Sequence, residues 1–149
     1  KKGLKALINI FKKDTKNKIQ VASLMTPIID NKEVLSSNVV KVIVDNHNFA
    51  IYFSRHSIPF NQEKNHSYNY LKHIGVYAFR KNSLKKIGNY GLTKLESIEK
   101  IEAIRFIEMG YRIKMVMTDK KSIGIDTLDD LKEANELIKD KLYDYNGDL

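Results

Sequence analysis

Cysteine is absent from the 149 residues, which excludes disulfide scaffolds, thiolate metal sites and cysteine nucleophiles. No apolar run approaches the roughly 20 residues that a membrane-spanning helix needs, and the first residues show no signal-peptide pattern. A soluble cytoplasmic protein is the resulting expectation. Catalytic signatures are missing too: the sequence has no GxxxxGK[ST] phosphate loop, no GxGxxG, no GxSxG elbow, and no HxxxH or HExxH zinc spacing. The catalytic centre of a complete nucleotide-using enzyme is therefore not legible in this chain by itself.

What is present suits one globular domain, 42% hydrophobic and 30% charged. A chain of this size buries roughly two-thirds of its unfolded surface. The net charge is +8, from 26 Lys+Arg against 18 Asp+Glu, and it is uneven. Residues 1–20 hold seven Lys and only Asp14, whereas residues 129–149 hold three Lys against seven acids. A basic protein can bind nucleic acid, but the early lysines lie on the polar side of an amphipathic pattern. No RNP-type aromatic motif or Arg-rich stripe follows. Neither nucleic acid nor a membrane is the expected partner. Solvated lysines, or a basic pocket for a phosphorylated or carboxylated small molecule, account for the charge equally well.

Leu4, Leu7, Ile8 and Phe11 follow helical spacing, so residues 3–13 predict an amphipathic helix. Residues 21–28 predict a strand that Pro27 confines to an edge or an end. Residues 39–44 and 49–53 predict a hairpin turning through Asp45-Asn46-His47-Asn48. A loop over 61–70 leads to a strand over 73–79, with Ile74, Val76 and Ala78 on one face and His73, Gly75, Tyr77 and Phe79 on the other. A helix over 93–109 stops at Gly110, and Ile113, Met115 and Met117 alternate along a further strand. Thr127 and Asp130 resemble a capping box opening a helix through about Ile138. The order predicts one mixed α/β unit with a partly parallel sheet.

Four places are unusual for a plain core. Ser54-Arg55-His56 follows directly on a strand end, where open α/β sheets bind ligands; Arg55 is either a surface side chain or a two-pronged carboxylate clamp. His73 shares a strand face with Tyr77, as a structural pair or as ligand donors. On the next helix, Glu102 and Arg105 fall near the apolar stripe and are spaced to pair, while Glu96 with Lys100 reads as an ordinary surface pair. Asp126 ends a short apolar run beside Thr127. It either stabilises a helix N-terminus or ligates Mg²⁺.

In this order and at these separations, the four places resemble the C-terminal portion of the 3-deoxy-manno-octulosonate cytidylyltransferase (CMP-Kdo synthetase) family. The matching stretches are Val40–Asp45, Ala50–Arg55 with Ile58-Pro59, and Leu71–Tyr77. Leu95-Glu96, Glu99, Glu102 and Arg105 continue the match, and Gly124–Thr127 with Asp129–Leu131 end it. No single motif is decisive; their joint order over residues 21–138 is specific.

The resemblance implies a three-layer, Rossmann-like nucleotidyltransferase sheet with a β-hairpin dimerisation region, and a homodimer. It implies transfer of CMP from CTP to the anomeric hydroxyl of Kdo, with Mg²⁺ and release of pyrophosphate, on the way to lipopolysaccharide. Arg55, His73 and Glu102 would contact the sugar acid, with Ser54 and Tyr77 as weaker candidates, and Asp126 would be the Mg²⁺ ligand. Two departures stand out. The family's Glu-Gln-Leu-Arg run reads Glu102-Ala103-Ile104-Arg105 here, which keeps another sugar acid (an amino-Kdo or a nonulosonic acid) open as substrate. The family's N-terminal half, with its basic CTP loop and Gln-Gly-Asp-Glu-Pro segment, has no counterpart in these residues. The expectation is thus a fragment, a chain completed by another chain, or a truncated relative, inactive alone. A non-catalytic binding module derived from the fold is the further alternative.

Overall fold

The computed structural model describes residues 2–63 and 68–118, together with Leu128, Leu131, Lys132, Asn135 and Glu136. The elements in chain order are α1 (Lys2–Lys13), β1 (Val21–Pro27), α2 (Asn31–Leu35), β2 (Lys41–Val44) and β3 (Ala50–Ser54). They continue with β4 (Leu71–Phe79), α3 (Lys81–Gly88), α4 (Lys94–Glu99), α5 (Glu102–Glu108) and β5 (Ile113–Met117). The described strands form one mixed sheet in the order β3-β2-β4-β1-β5. Only the β1–β5 pairing is parallel among its ladders, as the partly parallel expectation requires.

Alternation along the central strands sends side chains to two cores. Ala22 and Leu24 of β1, with Ile74, Val76 and Ala78 of β4, meet α1 through its buried Leu7. Leu4 and Ile8, expected on the same apolar face, are exposed, while Ile10 and Phe11 pack against the cluster. Asp14 closes the turn after α1: its carboxylate accepts from the Lys18 and Ile19 amides at 3.0 and 2.7 Å and from Arg80 Nη2 at 3.0 Å.

On the other face Val21, Met25, Ile113 and Met115 pack with Val42 and Phe53 of the hairpin and with Ala103, Ile104 and Phe106 of α5. Fully burying Phe53 alone is worth about 2–3 kcal/mol. The hairpin is tied at both ends of this face. β2 meets β4 at Lys41 opposite Lys72, and the His73 amide donates to Val40 O at 2.9 Å. At the turn end, Phe49 bridges Lys114, and the Met115 amide donates to Asn48 O at 2.7 Å. The turn itself follows the expectation: Asp45 Oδ1 accepts from the His47 and Phe49 amides, and Asn48 takes the left-handed φ of 57°.

Three expectations change. The single helix over 93–109 is two helices, broken where Lys100 adopts φ 56° and Ile101 is extended. Two short helices, α2 and α3, were not foreseen, and the strand expected from His73 begins at Leu71. Within the helix expected over 127–138, Leu128, Leu131, Lys132, Asn135 and Glu136 are helical. Its Thr127–Asp130 cap and Asp126 lie outside the described residues.

Candidate active site

β3 runs out of the core at Phe53 and delivers Ser54 and Arg55 to the C-terminal end of α4. There the Glu99 carboxylate accepts from Ser54 Oγ at 2.8 Å and from the Arg55 amide at 3.1 Å. The Arg55 side chain is not a free fork. Its Nε donates to Glu99 O at 2.9 Å, Nη1 to Ser37 O at 2.8 Å and Nη2 to Lys100 O at 3.3 Å. A guanidinium carries five N–H donors, so one on each Nη remains for a carboxylate. These residues, with Leu35, Ser37 and His56, line an open cleft of about 480 Å³.

Beneath the cleft lies Lys41, fully buried. Its ammonium donates to Ser36 O and Val39 O, each at 2.8 Å, and to Arg55 O. Burial, then the neighbouring Arg55 charge, pull the Lys41 pKa down, against the pull of Glu99. Sequence reasoning missed both Lys41 and Glu99 as parts of the site. The signal for Lys41 was present: one lysine interrupts the apolar run Val39-Val40-Lys41-Val42-Ile43-Val44, and a charge in such a run needs partners.

Phe53 links this cleft to the second group of candidates. Its ring meets His73 edge-on with centroids 4.9 Å apart, and His73 in turn lies 5.4 Å from the Tyr77 ring. The shared strand face expected for His73 and Tyr77 is thus observed. His73 Nε2 is 2.8 Å from Ser23 Oγ on β1, a partner that sequence spacing could not reveal. Burial pushes the His73 pKa down to about 4, so the ring is neutral at pH 7. Burial, then the charges of Glu102 and Glu96, raise the Tyr77 pKa, so its hydroxyl keeps its proton.

The helix break re-sorts the acidic residues. Glu102 is the exposed first residue of α5 and does not pair with Arg105. Glu96 makes no surface pair with Lys100; it is buried, and Arg105 grips it through Nε at 2.6 Å and Nη2 at 2.5 Å. The Arg105 hydrogen bond holds the Glu96 carboxyl below its usual range. Ala103 is fully buried in the apolar cluster.

The structure therefore joins Ser54 with Arg55 at one end of the hairpin and His73 with Tyr77 on the adjoining face. Glu102 is close enough for its charge to act on Tyr77. No three ligating side chains gather into a metal-holding group among the described residues. Among them, too, no helix is long and apolar enough to cross a membrane.

Comparison with known proteins points one way. The 3-deoxy-manno-octulosonate cytidylyltransferase of Flavobacterium johnsoniae is 44% identical over 92% of this chain and 56% of its own length. That of Christiangramia forsetii is 43% identical over 93% of this chain and 56% of its own length. The chain spans about half the length of the curated relatives it matches. A solved structure of a CMP:2-keto-3-deoxy-manno-octonic acid synthetase complexed with CTP superposes with a TM-score of 0.83 at 28% identity, over 93% of this chain and 56% of that one. A family model described as Cytidylyltransferase matches residues 3–143, and the chain belongs to the cytidylyltransferase family.

Proposed function

We propose that this chain supplies the sugar-acid-binding part of an enzyme that transfers CMP from CTP to the anomeric hydroxyl of Kdo, releasing pyrophosphate. The observation that carries the reading is that sequence likeness and fold likeness converge on proteins named for this one reaction. Each candidate residue has chemistry to match. The uncommitted N–H groups of Arg55 meet the sugar carboxylate, and Ser54 orients the Arg55 backbone through Glu99. Glu102 and neutral His73 hold hydroxyls, while the protonated Tyr77 donates. Mg²⁺ is held by Asp126 in this reading and, when bound, offsets charge at the transferring phosphate. Asp126 is beyond the described residues. A homodimer with the β2–β3 hairpin in the contact, a cytoplasmic setting and a role toward lipopolysaccharide belong to the same proposal.

The test has two arms. Kdo titrated into the ¹⁵N-labelled chain shifts the resonances of Arg55, His73 and Tyr77, and adding the N-terminal half of a relative with CTP and Mg²⁺ yields CMP-Kdo. A folded chain that ignores millimolar Kdo, and stays silent with the added half, defeats the reading. A second sugar acid is kept open by Ala103, where the resemblance leads one to expect Gln. Preference for an amino-Kdo or a nonulosonic acid in the same titration would select it.

A further inference from the structure

We infer that Ser23 is a positioning residue: it locks His73 as the Nε2–H tautomer, so that His73 presents an unprotonated Nδ1 and recognises a ligand hydroxyl by accepting its hydrogen. The identity of the ligand rests on the proposed function; the tautomer rests on the geometry around a neutral ring.

The geometry begins with an irregularity in the sheet. Ser23 pairs with Tyr77, but the next residue of β1, Leu24, pairs with Ile74, so Gly75 and Val76 have no opposite number. Inserting two residues keeps the side-chain alternation intact on both sides, which is why Ile74, Val76 and Ala78 still reach the α1 core. The cost falls on backbone carbonyls pulled out of the ladder. Ser23 Oγ answers this cost: it lies 2.9 Å from Val76 O and 3.2 Å from Ile74 O.

A serine hydroxyl has one proton and two lone pairs, and a carbonyl oxygen can only accept. The proton therefore goes to Val76 O or Ile74 O. Ser23 Oγ has a lone pair left for His73 Nε2, 2.8 Å away, and that nitrogen must carry the hydrogen. The opposite arrangement, with Ser23 donating to Nε2, leaves both carbonyls without the hydroxyl they surround. In a neutral imidazole one nitrogen donates and the other accepts, so Nδ1 is the acceptor. It has no hydrogen-bond partner among the described residues. Phe53 and Tyr77 hold the ring from its sides at 4.9 and 5.4 Å, which restrains ring rotation. A neutral acceptor discriminates: it welcomes a hydroxyl and gives nothing to a carboxylate or phosphate, which fall to Arg55.

The experiment is ¹⁵N–¹H long-range imidazole correlation on the chain at pH 7, with His73 assigned by comparison with His73→Gln. The expected spectrum shows Nε2 in the protonated range and Nδ1 in the unprotonated range. An Nδ1–H tautomer in the native chain overturns the inference. Ser23→Ala should mix the tautomers and weaken Kdo binding about tenfold, the worth of one hydrogen bond, whereas Ser23→Thr keeps the hydroxyl and restores both. A folded Ser23→Ala chain with an unchanged tautomer also overturns it, and the native spectrum stays decisive should that variant not fold. If the tautomer is as expected and Kdo does not bind, the substrate reading fails and the role of Ser23 in fixing His73 stands.

Discussion

Lys41 shows how a single residue can be both costly and indispensable. A buried ammonium is tolerated only where its hydrogens are all met, and the carbonyls of Ser36, Val39 and Arg55 meet them. Those carbonyls belong to the loop before β2 and the segment after β3, so one side chain cross-links the two walls beneath the cleft. Lys41→Met should destabilise the chain by roughly 2–3 kcal/mol, the cost of orphaning buried acceptors. It should also broaden the Arg55 amide resonance. Denaturant midpoints check the first effect, and a loss below about half a kcal/mol would show that water replaces the ammonium. Glu99 acts on the same segment from the opposite side, accepting from Ser54 and the Arg55 amide. Glu99→Gln can keep only one acceptor oxygen, so Kdo binding should weaken severalfold while the fold is retained; unchanged affinity in the titration would remove Ser54 and Glu99 from the site's support.

At the scale of elements, the paired helices α4 and α5 form a bracket rather than one rod. Thr93 and Glu96 make a capping box at the start of α4. Glu108 on α5 reaches back to accept from the Leu95 and Glu96 amides at 3.3 and 3.4 Å, and Arg105 clamps Glu96. The break at Lys100 makes this possible, because a straight helix would carry residues 96 and 105 apart along its axis at 1.5 Å per residue. Glu96→Gln should cost about 2 kcal/mol by removing the charge from a two-pronged hydrogen bond. It should also disturb Tyr77 of β4, on which the charges of Glu96 and Glu102 act. Thermal unfolding and the Tyr77 ring resonances report these effects, and a neutral result in both would mean that packing by Ile104 and Phe106 is enough.

For the molecule as a whole, acid is the expected weakness, and its sign can be worked out. The His73 pKa is lowered to about 4 from an ordinary value of 6.5. Below pH 6.5 the unfolded chain takes up a proton that the folded chain refuses, so stability falls as pH drops toward 4. The loss is about 1.4 kcal/mol for each pH unit of that window, with a ceiling of about 3 kcal/mol. In the proposed tautomer the proton enters at Nδ1, because Nε2 already donates to Ser23 Oγ. The Asp14, Asp45, Glu96 and Glu108 carboxyls are held below their ordinary values by hydrogen bonds. They support the fold above about pH 4.5 and withdraw that support as pH falls further through their folded values. Thermal midpoints should therefore be level above pH 6.5 and decline below it, with His73→Gln abolishing the upper part of the decline. A maximum near pH 5 would contradict the buried neutral state of His73.

Local pattern was enough to place most of the strands, because period-two alternation is written in neighbouring residues: Ile74, Val76 and Ala78 against His73, Tyr77 and Phe79 needed no tertiary information. The hairpin was equally legible, since Asp45 and Asn48 carry the turn chemistry in their own side chains. So was the resemblance, which rests on the order of short motifs. The helix break was not legible, because residues 93–109 contain no Gly or Pro and only the grip of Arg105 on Glu96 and the packing of Ile101 make two short helices preferable. The roles of charged residues were least legible of all. Glu96 looked like surface and is buried, Glu102 looked half-buried and is exposed, and Arg55 looked free and holds three carbonyls. Sequence determines which groups are charged and how they space along an element. The partners of Glu96 and Arg55 lie 9 to 45 residues away, and only the closing of the hairpin and α5 over the sheet decides which charges meet and which face water.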